Sequence, residues 1–334
     1  MSPAITPVAG RPGSRILSVG SYLPSRVVGN DEISALIDSS DQWIRERSGI
    51  SERRRASADE TVASMATEAA TKAIARAGID PSEISMVLVA TVTHPFQTPA
   101  AATEVAFRVG AVNAAASDLG AACAGFCYAI GVADSLIRAG TSKYVLVIGA
   151  EKFSDFVSWS DRGTAFIFGD GAGAVLLGPS DIPRVGPVIW GADGGQIDVI
   201  TMSQSWTDYR DNPGEHYPHL TMQGQTVFRW AISEVSKVTQ RAIDAAGITS
   251  ADLAAFVPHQ ANMRITDALV RTLKLPEHVV IARDIKTSGN TSAASIPLAL
   301  DHLLEAGEVT SGGLALLVGF GAGLAFAAQV VEIP

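Results

Sequence analysis

Amphipathic stretches with a helical period alternate along the chain with short runs that are wholly apolar. VASMATEAATKAIARAG (62–78) precedes MVLVATV (86–92), and AIGVADSLIRAG (129–140) precedes YVLVIGA (144–150). An unbroken apolar run is typical of a strand buried on both faces, whereas amphipathic stretches are typical of helices that cover those faces. The alternation therefore predicts an α/β fold built from βα units.

Two pairs of similar segments indicate that the chain is duplicated. AIARAGIDPSEISMVLV (73–89) is similar to AIDAAGITSADLAAFVP (242–258), with Gly78 matched to Gly247. ADSLIRAG, which ends at Gly140, is similar to LDHLLEAG, which ends at Gly307. The two pairs of glycines are separated by nearly the same offset, which is typical of an internal repeat.

The repeat predicts two pseudo-equivalent halves, residues 15–180 and 181–334, behind a flexible N-terminal extension over residues 1–14. A chain of 334 residues that is 47% hydrophobic is long enough to bury a large core in this way. In such α/β folds the functional sites lie at the carboxyl ends of the strands.

Charge and hydropathy narrow the functional class. A net charge of −9 is unsuited to broad nucleic-acid binding, which needs concentrated Lys and Arg. The uncharged segment 314–331 falls short of the roughly 20 apolar residues of a membrane span. Its three glycines at alternate positions predict a strand, a tight turn and a second strand. The first residues lack the apolar stretch of a signal peptide, so we expect a cytoplasmic protein.

The two cysteines, Cys123 and Cys127, do not predict a structural disulfide. They stand one helical turn apart in the sequence, and a bond between them would close only a trivial loop. A reduced, intracellular protein is therefore expected. No CxxC pair occurs, and His216 and His219 lie in a Pro/Gly-rich stretch without a cysteine nearby, so no metal site is predicted.

Cys123 stands at the predicted junction between a strand that ends in DLGAA and a helix. At a helix start the unpaired N–H groups and the helix dipole favour a thiolate nucleophile, and the same N–H groups stabilise an oxyanion. Small neighbours leave room for a substrate. Cys123 is therefore either a nucleophile or a small buried side chain, whereas Cys127, one turn into the helix, is expected in the core.

Two polar residues lie at places that the repeat relates to Cys123. Asn290 precedes Gly307 by as many positions as Cys123 precedes Gly140, and His259 directly follows the predicted strand AAFVP. The three side chains would converge if these ends meet at the seam between the halves. Taken alone, His259 also fits a hydrogen-bonded structural histidine, and Asn290 also fits a helix N-cap.

Two glycine-rich stretches, GDGAGA (169–174) and GFGAG (319–323), look like nucleotide-binding loops. Neither is the GxGxxG that opens a helix after a first strand, and both adjoin apolar, strand-like runs. A dinucleotide site is therefore not expected.

With these residues in place, the chain resembles the β-ketoacyl-acyl carrier protein synthase III family of the thiolase-like superfamily. The resemblance covers nearly the whole chain and rests on ACAGF at Cys123, VPHQAN at His259, GNTSAAS at Asn290, GFGAG, DQWIRERSGI and RGTAFIFGDGAGAVLL. It implies a duplicated, five-layered α-β-α-β-α thiolase fold and a homodimer. It also implies a decarboxylating condensation of an acyl-CoA primer with malonyl-acyl carrier protein, which initiates fatty acid or polyketide synthesis.

The resemblance implies a catalytic triad of Cys123, His259 and Asn290 and a ping-pong reaction through an acyl-cysteine. An Asn rather than a second His at position 290 is typical of the initiating class. His259 and Asn290 would stabilise the enolate that decarboxylation leaves. The oxyanion and malonyl pocket would be formed by Phe320, Gly321 and Ala322. Ala322 stands where the family usually has a glycine, and a backbone donor does not require one.

The resemblance also implies the substrate contacts, with acyl-CoA as a substrate and no tightly bound cofactor. The CoA and pantetheine arm would be bound by Trp43, Arg47, Arg162, Gly224 and Asn262. The acyl pocket would be lined by Phe96, Phe168 and Met222. Phe96 lies in a loop (93–104) that would reach across the dimer and close that pocket. An acidic acyl carrier protein would dock on a basic patch of Arg229, Arg264 and Arg271.

Several alternatives share part of this pattern. A type III polyketide synthase also uses Cys, His and Asn, but its loop typically reads GFGPG rather than GFGAG. A relative that primes an aromatic polyketide would share the triad and differ in its primer. An acyltransferase without condensation would keep the acyl-cysteine, whereas a catalytically silent partner subunit typically lacks the nucleophile.

Overall fold

Two five-stranded sheets form the centre of the fold. The computed structural model describes residues 5–6, 8–214 and 217–334, so His216 and residues 1–4 and 7 of the predicted extension lie outside the described residues. The strands are β1 (Gly13–Tyr22), β2 (Arg26–Gly29), β3 (Glu52–Arg55), β4 (Ile84–Ala90), β5 (Ala115–Leu119), β6 (Tyr144–Lys152), β7 (Asp170–Ser180), β8 (Ile189–Ala192), β9 (Ile200–Met202), β10 (Leu220–Met222), β11 (Leu253–Pro258), β12 (Val280–Ile281), β13 (Leu314–Gly321) and β14 (Ala325–Glu332). The helices are α1 (Asn30–Ile37), α2 (Asp41–Ser48), α3 (Val62–Ala77), α4 (Ala101–Arg108), α5 (Gly125–Arg138), α6 (Trp206–Asp211), α7 (Gly224–Trp230), α8 (Ser236–Ala245), α9 (Met263–Leu273), α10 (Ile285–Ser288) and α11 (Ser295–Glu305).

The same strand arrangement occurs in both sheets. The first sheet has the order β1-β7-β6-β4-β5, and the second has the order β8-β14-β13-β11-β12. In the first, β4 runs parallel to β5 and β6, and β7 runs antiparallel to β6 and β1. In the second, β11, β12, β13, β14 and β8 repeat these directions in the same places. The repeated topology confirms the predicted duplicated α/β fold.

Helices and sheets alternate in five layers. α3 and α4 cover the outer face of the first sheet through buried side chains that include Met65 and Val105. α5 and α11 lie between the sheets, where Phe126 and Leu300 belong to one apolar cluster with strand residues of both halves. α8 and α9 cover the second sheet, and Leu269 is buried there. The turns that precede α5 and α11 contact each other, so the two helix starts meet at the seam.

The glycines that reveal the repeat follow the ends of four helices. Gly78, Gly140, Gly247 and Gly307 have φ angles of 64°, 77°, 70° and 68°. A residue with a Cβ is strained in this left-handed region, and glycine is not. The same turn geometry in both halves therefore accounts for the matching Ala-Gly pairs.

The uncharged C-terminal segment forms β13 and β14, which pair antiparallel around a short turn. This confirms the predicted strand, turn and strand. Among the residues that the structure describes, no helix is long and apolar enough to cross a membrane.

Candidate active site

A cavity of about 990 Å³ reaches the seam between the halves, and Cys123, His259 and Asn290 all line it. Cys123 comes from the turn before α5, His259 follows β11, and Asn290 precedes the turn before α11. The convergence that the repeat predicted is therefore present in the structure. Phe320, Gly321 and Ala322, at the end of β13, line the same cavity.

Cys123 lies in a 3₁₀ turn, Ala122–Ala124, that leads directly into α5. Ala122 has a left-handed φ of 45°, which turns the chain sharply between β5 and the helix. Burial raises the pKa of the Cys123 thiol to about 12, although hydrogen bonds from Ser292 and from its own backbone N–H act in the opposite direction. The N–H at the helix start therefore acts in the predicted direction, but desolvation of the buried thiolate outweighs it.

Glycines of β13 let the Cys123 turn approach the second sheet. A Cβ built on Gly321 would lie 2.8 Å from the Cβ and 2.9 Å from the Sγ of Cys123, closer than real Cβ contacts. A Cβ on Gly319 would lie 2.9 Å from the Cα of Ala124. Gly321 thus sets the distance between the thiol and the end of β13.

His259 is buried and uncharged. Its backbone N–H donates to the Val318 carbonyl at 2.7 Å, which holds it beside β13. Its Nδ1 lies 2.8 Å from Ser295 Oγ, and that oxygen also accepts the Gln260 N–H at 3.3 Å. Nδ1 is the only acceptor that the described hydrogen bonds offer the buried Ser295 hydroxyl, so we assign the Ser295 hydrogen to Nδ1 and the ring hydrogen to Nε2. Burial lowers the pKa of His259 to about 3, so the ring stays neutral near pH 7.

Asn290 is fixed by its backbone and by its side-chain oxygen. Its N–H donates to the Ile167 carbonyl at 2.9 Å, and its carbonyl accepts the Gly169 N–H at 3.0 Å. Its Oδ1 accepts the Ser292 N–H at 2.8 Å, which leaves the Nδ2 hydrogens to serve as donors. Ala294, not Asn290, is the N-cap of α11, so the alternative of a simple helix cap is wrong. The Phe320 ring lies edge-on to His259, with centroids 5.3 Å apart.

The predicted equivalence of Cys123 and Asn290 is wrong by almost one helical turn. The left-handed residue before α5 is Ala122, and its counterpart before α11 is Ser292, which has a φ of 50°. α5 has 14 residues and α11 has 11, so counting back from the glycines that follow them shifts the register. In the folded protein Cys123 corresponds to Ala293, and Asn290 lies ahead of the turn.

The residues predicted to bind CoA all line the cavity, and three of them stack together. The guanidinium of Arg162 lies 4.8 Å from the centre of the Trp43 ring, and that of Arg47 lies 5.5 Å from it. Asn262 is the N-cap of α9, where its Oδ1 accepts the Arg264 N–H, and its Nδ2 donates to the Arg47 carbonyl at 2.9 Å. Asn262 therefore ties α9 to α2, the helix that carries Trp43.

The predicted acyl-pocket residues separate into two groups. Phe168 and Met222 line the cavity, and Phe168 stacks on Phe153 with centroids 4.5 Å apart. Phe96 is 65% exposed and is not among the residues that line the cavity of its own chain. Its predicted place in the pocket of a second protomer stays a prediction.

The predicted carrier-protein patch surrounds the cavity mouth only in part. Arg229 and Arg264 line the cavity, and the Arg264 guanidinium lies 5.4 Å from the Phe228 ring centre. Arg271 is exposed on the same helix, α9, two turns after Arg264.

Three residues next to the site were not predicted: Glu151, Ser292 and Ser295. Ser292 and Ser295 belong to the GNTSAAS stretch, where only Asn290 was singled out. Glu151 follows the apolar run YVLVIGA, just as His259 follows AAFVP. An acidic residue at the carboxyl end of a buried strand was therefore a signal available from the sequence.

Comparisons with known proteins agree with this geometry. The fold and the cavity define a condensing acyltransferase of the thiolase-like superfamily. The family model of 3-oxoacyl-[acyl-carrier-protein (ACP)] synthase III matches residues 117–194, and the model of its C-terminal part matches residues 243–333. The chain belongs to the β-ketoacyl-acyl carrier protein synthase III family.

Relatives resemble the chain over its full length. A β-ketoacyl-[acyl-carrier-protein] synthase III of Streptomyces glaucescens is 56% identical over 330 residues, which cover 99% of each chain. The mycobacterial β-ketoacyl-[acyl-carrier-protein] synthase III of Mycobacterium avium is 50% identical, with 99% of this chain and 98% of that protein covered. Among solved structures, the priming β-ketosynthase from the R1128 polyketide biosynthetic pathway has a TM-score of 0.97 at 47% identity, with 99% of each chain covered.

Proposed function

We propose that this protein condenses an acyl-CoA primer with malonyl-acyl carrier protein and releases CoA and carbon dioxide. The observation that carries the proposal is the single cavity that brings the Cys123 thiol together with two neutral donors, His259 and Asn290. The site forms at the proposed seam between residues 15–180 and residues 181–334.

In the first half-reaction Cys123 attacks the thioester carbonyl of the primer. A bond forms between Sγ and the acyl carbon, and the bond between that carbon and the CoA sulfur breaks. The backbone N–H groups of Cys123 and of the turn after β13 stabilise the oxyanion that forms between these events. The close approach of Gly321 to Cys123 supports this pairing of donors.

In the second half-reaction malonyl-acyl carrier protein occupies the same cavity. His259 Nε2–H and Asn290 Nδ2–H donate to its thioester carbonyl and stabilise the enolate left when carbon dioxide departs. Phe320 lies beside His259, where its ring excludes water from the malonyl carboxylate and favours loss of carbon dioxide, whose bonding electrons pass to the enolate. The carbanion then attacks the acyl-Cys123 carbonyl. A carbon–carbon bond forms, the bond between the acyl carbon and Sγ breaks, and Cys123 leaves as a thiolate that takes up a proton from solvent.

The cavity mouth fits the CoA arm, and the surface beside it fits a carrier protein. Trp43 with Arg162 offers an aromatic face and a planar cation for adenine, and Arg47 offers a charge for phosphate. Arg229, Arg264 and Arg271 give a locally basic surface on a chain of net charge −9. An acidic carrier protein would be steered to that surface.

The edge of the first sheet supports a homodimer. Within residues 5–6, 8–214 and 217–334, β5 pairs with β4 on one side only and has no strand on its other edge. Exposed apolar side chains lie on the segments around β5: Val92, Phe96, Phe107 and Val112. Pairing of two β5 edges would cover these side chains and bring Phe96 to the partner's cavity. Phe107→Glu should give a monomer by sedimentation, whereas Leu36→Glu, at a comparably exposed position on α1, should leave the dimer intact.

We further propose a cytoplasmic location.

A second candidate is that the primer serves polyketide rather than fatty acid synthesis. The R1128 priming ketosynthase has a TM-score of 0.97, against 0.89 for the synthase III from Pseudomonas aeruginosa PAO1. Acylation rates measured with acyl-CoAs of increasing chain length give the preferred primer, and that preference distinguishes priming of polyketide synthesis from priming of fatty acid synthesis.

Intact-mass measurement tests the proposal directly. Incubation with an acyl-CoA should add one acyl group to the wild type and to Cys127→Ala, and none to Cys123→Ala. Cys127 is the matched control because it is a second thiol on the same helix start, fully buried in the core. Malonyl-acyl carrier protein should then release ketoacyl-carrier protein and carbon dioxide. An adduct that persists in Cys123→Ala would refute the nucleophile, and an adduct that never condenses would indicate simple acyl transfer.

A further inference from the structure

Glu151 is a buried carboxylate at the end of β6 that the reaction described above does not use. Its side chain is fully enclosed. Its Oε2 accepts hydrogen bonds from the hydroxyls of Thr91 and Thr93 and from the Val92 N–H. Its Oε1 accepts the Ser292 hydroxyl at 3.0 Å. Burying an ionisable group this deeply costs free energy of folding, which hydrogen bonds offset only in part, so Glu151 is a candidate for a chemical role.

Ser292 lies between this carboxylate and the nucleophile. Its hydroxyl donates to Glu151 Oε1 at 3.0 Å, and the same side chain acts to lower the pKa of the Cys123 thiol. It lines the cavity together with Cys123, and the turns that carry the two residues contact each other. A path from the cavity into the first sheet therefore runs from Cys123 past Ser292 to Glu151.

The duplication places Ser292 and Glu151 at the counterpart of the proposed oxyanion site. Gly149 of β6 and Gly319 of β13 are matched by the repeat, and each gives a close approach to the helix-start turn of the other half. Two positions further along, β13 presents Gly321 to Cys123, whereas β6 presents Glu151 to Ser292. At this position β13 therefore places backbone beside Cys123, whereas β6 places a carboxylate beside Ser292.

The reaction needs a proton acceptor that the triad does not provide. Cys123 has to lose its proton before it attacks a thioester. His259 Nε2 already carries a hydrogen, because Nδ1 accepts from Ser295. Asn290 is a donor and not a base. Glu151 is a carboxylate that accepts from Ser292, a side chain that lines the cavity with Cys123, and its charge acts on the pKa of the thiol.

We propose that Glu151 is the base that activates Cys123, with Ser292 as the relay. The thiol proton passes to Ser292 Oγ while the Ser292 hydroxyl proton passes to Glu151 Oε1, which leaves a thiolate and a neutral carboxylic acid. The thiolate then forms its bond to the acyl carbon, and the bond to the CoA sulfur breaks. The proton returns from Glu151 through Ser292 to the departing CoA sulfur, so one proton and one negative charge are conserved throughout.

Electrostatics favours this exchange over simple ionisation of the thiol. The enclosed site carries one negative charge before and after the transfer, so no new charge is desolvated. Burial raises the pKa of Glu151 to about 7, which makes it a stronger base than an ordinary carboxylate. The groups that donate to Glu151, on residues 91–93 after β4 and on Ser292, are uncharged. Lys152, next along β6, donates instead to the Ser57 carbonyl. Cys123 is the titratable group whose pKa is coupled to the charge of Glu151.

The experiment is single-turnover acylation of Cys123 by an acyl-CoA, quenched and read by intact mass between pH 5.5 and 9. The wild-type rate should rise with an inflection near pH 7, since the carboxylate form is the base. Glu151→Gln and Ser292→Ala should each slow acylation by roughly 10- to 100-fold, and Glu151→Gln should lose the inflection. The double variant should be no slower than the slower single one, because the two residues act in one relay. Condensation by enzyme that has already been acylated should change by less than about threefold.

The controls separate a relay from a structural role. Ser292→Ala should fold, because the counterpart position already carries Ala122 with a similar φ of 45°. Glu60→Gln removes a carboxylate outside the cavity and should acylate at the wild-type rate. Acylation at the wild-type rate in both Glu151→Gln and Ser292→Ala overturns the inference, and so does an equal loss in both half-reactions. The inference rests on the proposed nucleophile, and an adduct on Cys123→Ala would refute that nucleophile as a separate result.

Discussion

Ser295 Oγ lies 2.8 Å from His259 Nδ1, and our assignment of the ring hydrogen to Nε2 rests on this contact. Ser295 accepts the Gln260 N–H at 3.3 Å, so its own hydrogen is available for Nδ1. His259 is thereby prepared as a neutral donor at Nε2. A donor of this kind suits a thioester carbonyl that develops negative charge, and it does not suit removal of a proton from Cys123.

Ser295→Ala should slow decarboxylation of malonyl-acyl carrier protein by about tenfold, because His259 then loses the hydrogen bond that fixes both the orientation of the ring and its neutral tautomer. Carbon dioxide release measures this step. Acylation of Cys123 should stay within about twofold of the wild type, and so should both steps in the surface variant Ser82→Ala. A loss confined to acylation would contradict the assigned tautomer.

Gly321→Ala should lower both stability and activity. The added Cβ would meet the Cβ and Sγ of Cys123 at 2.8 and 2.9 Å, so either the thiol or the end of β13 has to move. Overpacking of this kind costs about 1–3 kcal/mol of the free energy of unfolding. Gly29→Ala is the matched control, because no atom lies within 4 Å of a Cβ built there. Thermal unfolding together with the acylation rate tests this, and an unchanged acylation rate would show that Gly321 does not set the position of the thiol.

Arg162→Ala should raise KM for acyl-CoA by about tenfold while kcat changes little, because the guanidinium lies over Trp43, where we propose that the nucleotide end of CoA binds, and not at the reacting carbonyl. The same acyl group on a short pantetheine thioester should show no such increase. The exposed variant Arg26→Ala should behave like the wild type with both substrates. Equal KM changes for the two thioesters would place Arg162 elsewhere in recognition.

Glu151→Gln should stabilise the protein increasingly as pH rises. Burial raises the pKa of Glu151 to about 7, whereas the unfolded carboxyl titrates near its ordinary value of 4.5. Between these values the folded state binds more protons, so the free energy of unfolding of the wild type falls as pH increases through this window. The variant lacks this loss, and its advantage should grow by roughly 2–3 kcal/mol from pH 4.5 to pH 8.

Denaturant unfolding at several pH values measures that difference. His259 titrates in both proteins and cancels from the comparison. Glu60→Gln, which removes a carboxyl whose pKa is lowered rather than raised, should not gain stability at high pH. A constant difference between Glu151→Gln and the wild type would show that Glu151 titrates in its ordinary range.

The sequence by itself determined the duplicated α/β fold and most of the site. Apolar runs and amphipathic stretches have different periods, and left-handed helix ends demand glycine, so both features are visible in one dimension. Their places at element ends made Cys123, His259 and Asn290 candidates, and the resemblance to the family joined them into a triad. Only the tertiary structure decided the register of the two helix starts, because one central helix is almost a turn longer than the other. It also decided that Ser295 faces His259 Nδ1 and that Ser292 donates to Glu151. These depend on contacts between residues far apart in the chain, such as Ser292 and Glu151, which no local pattern encodes.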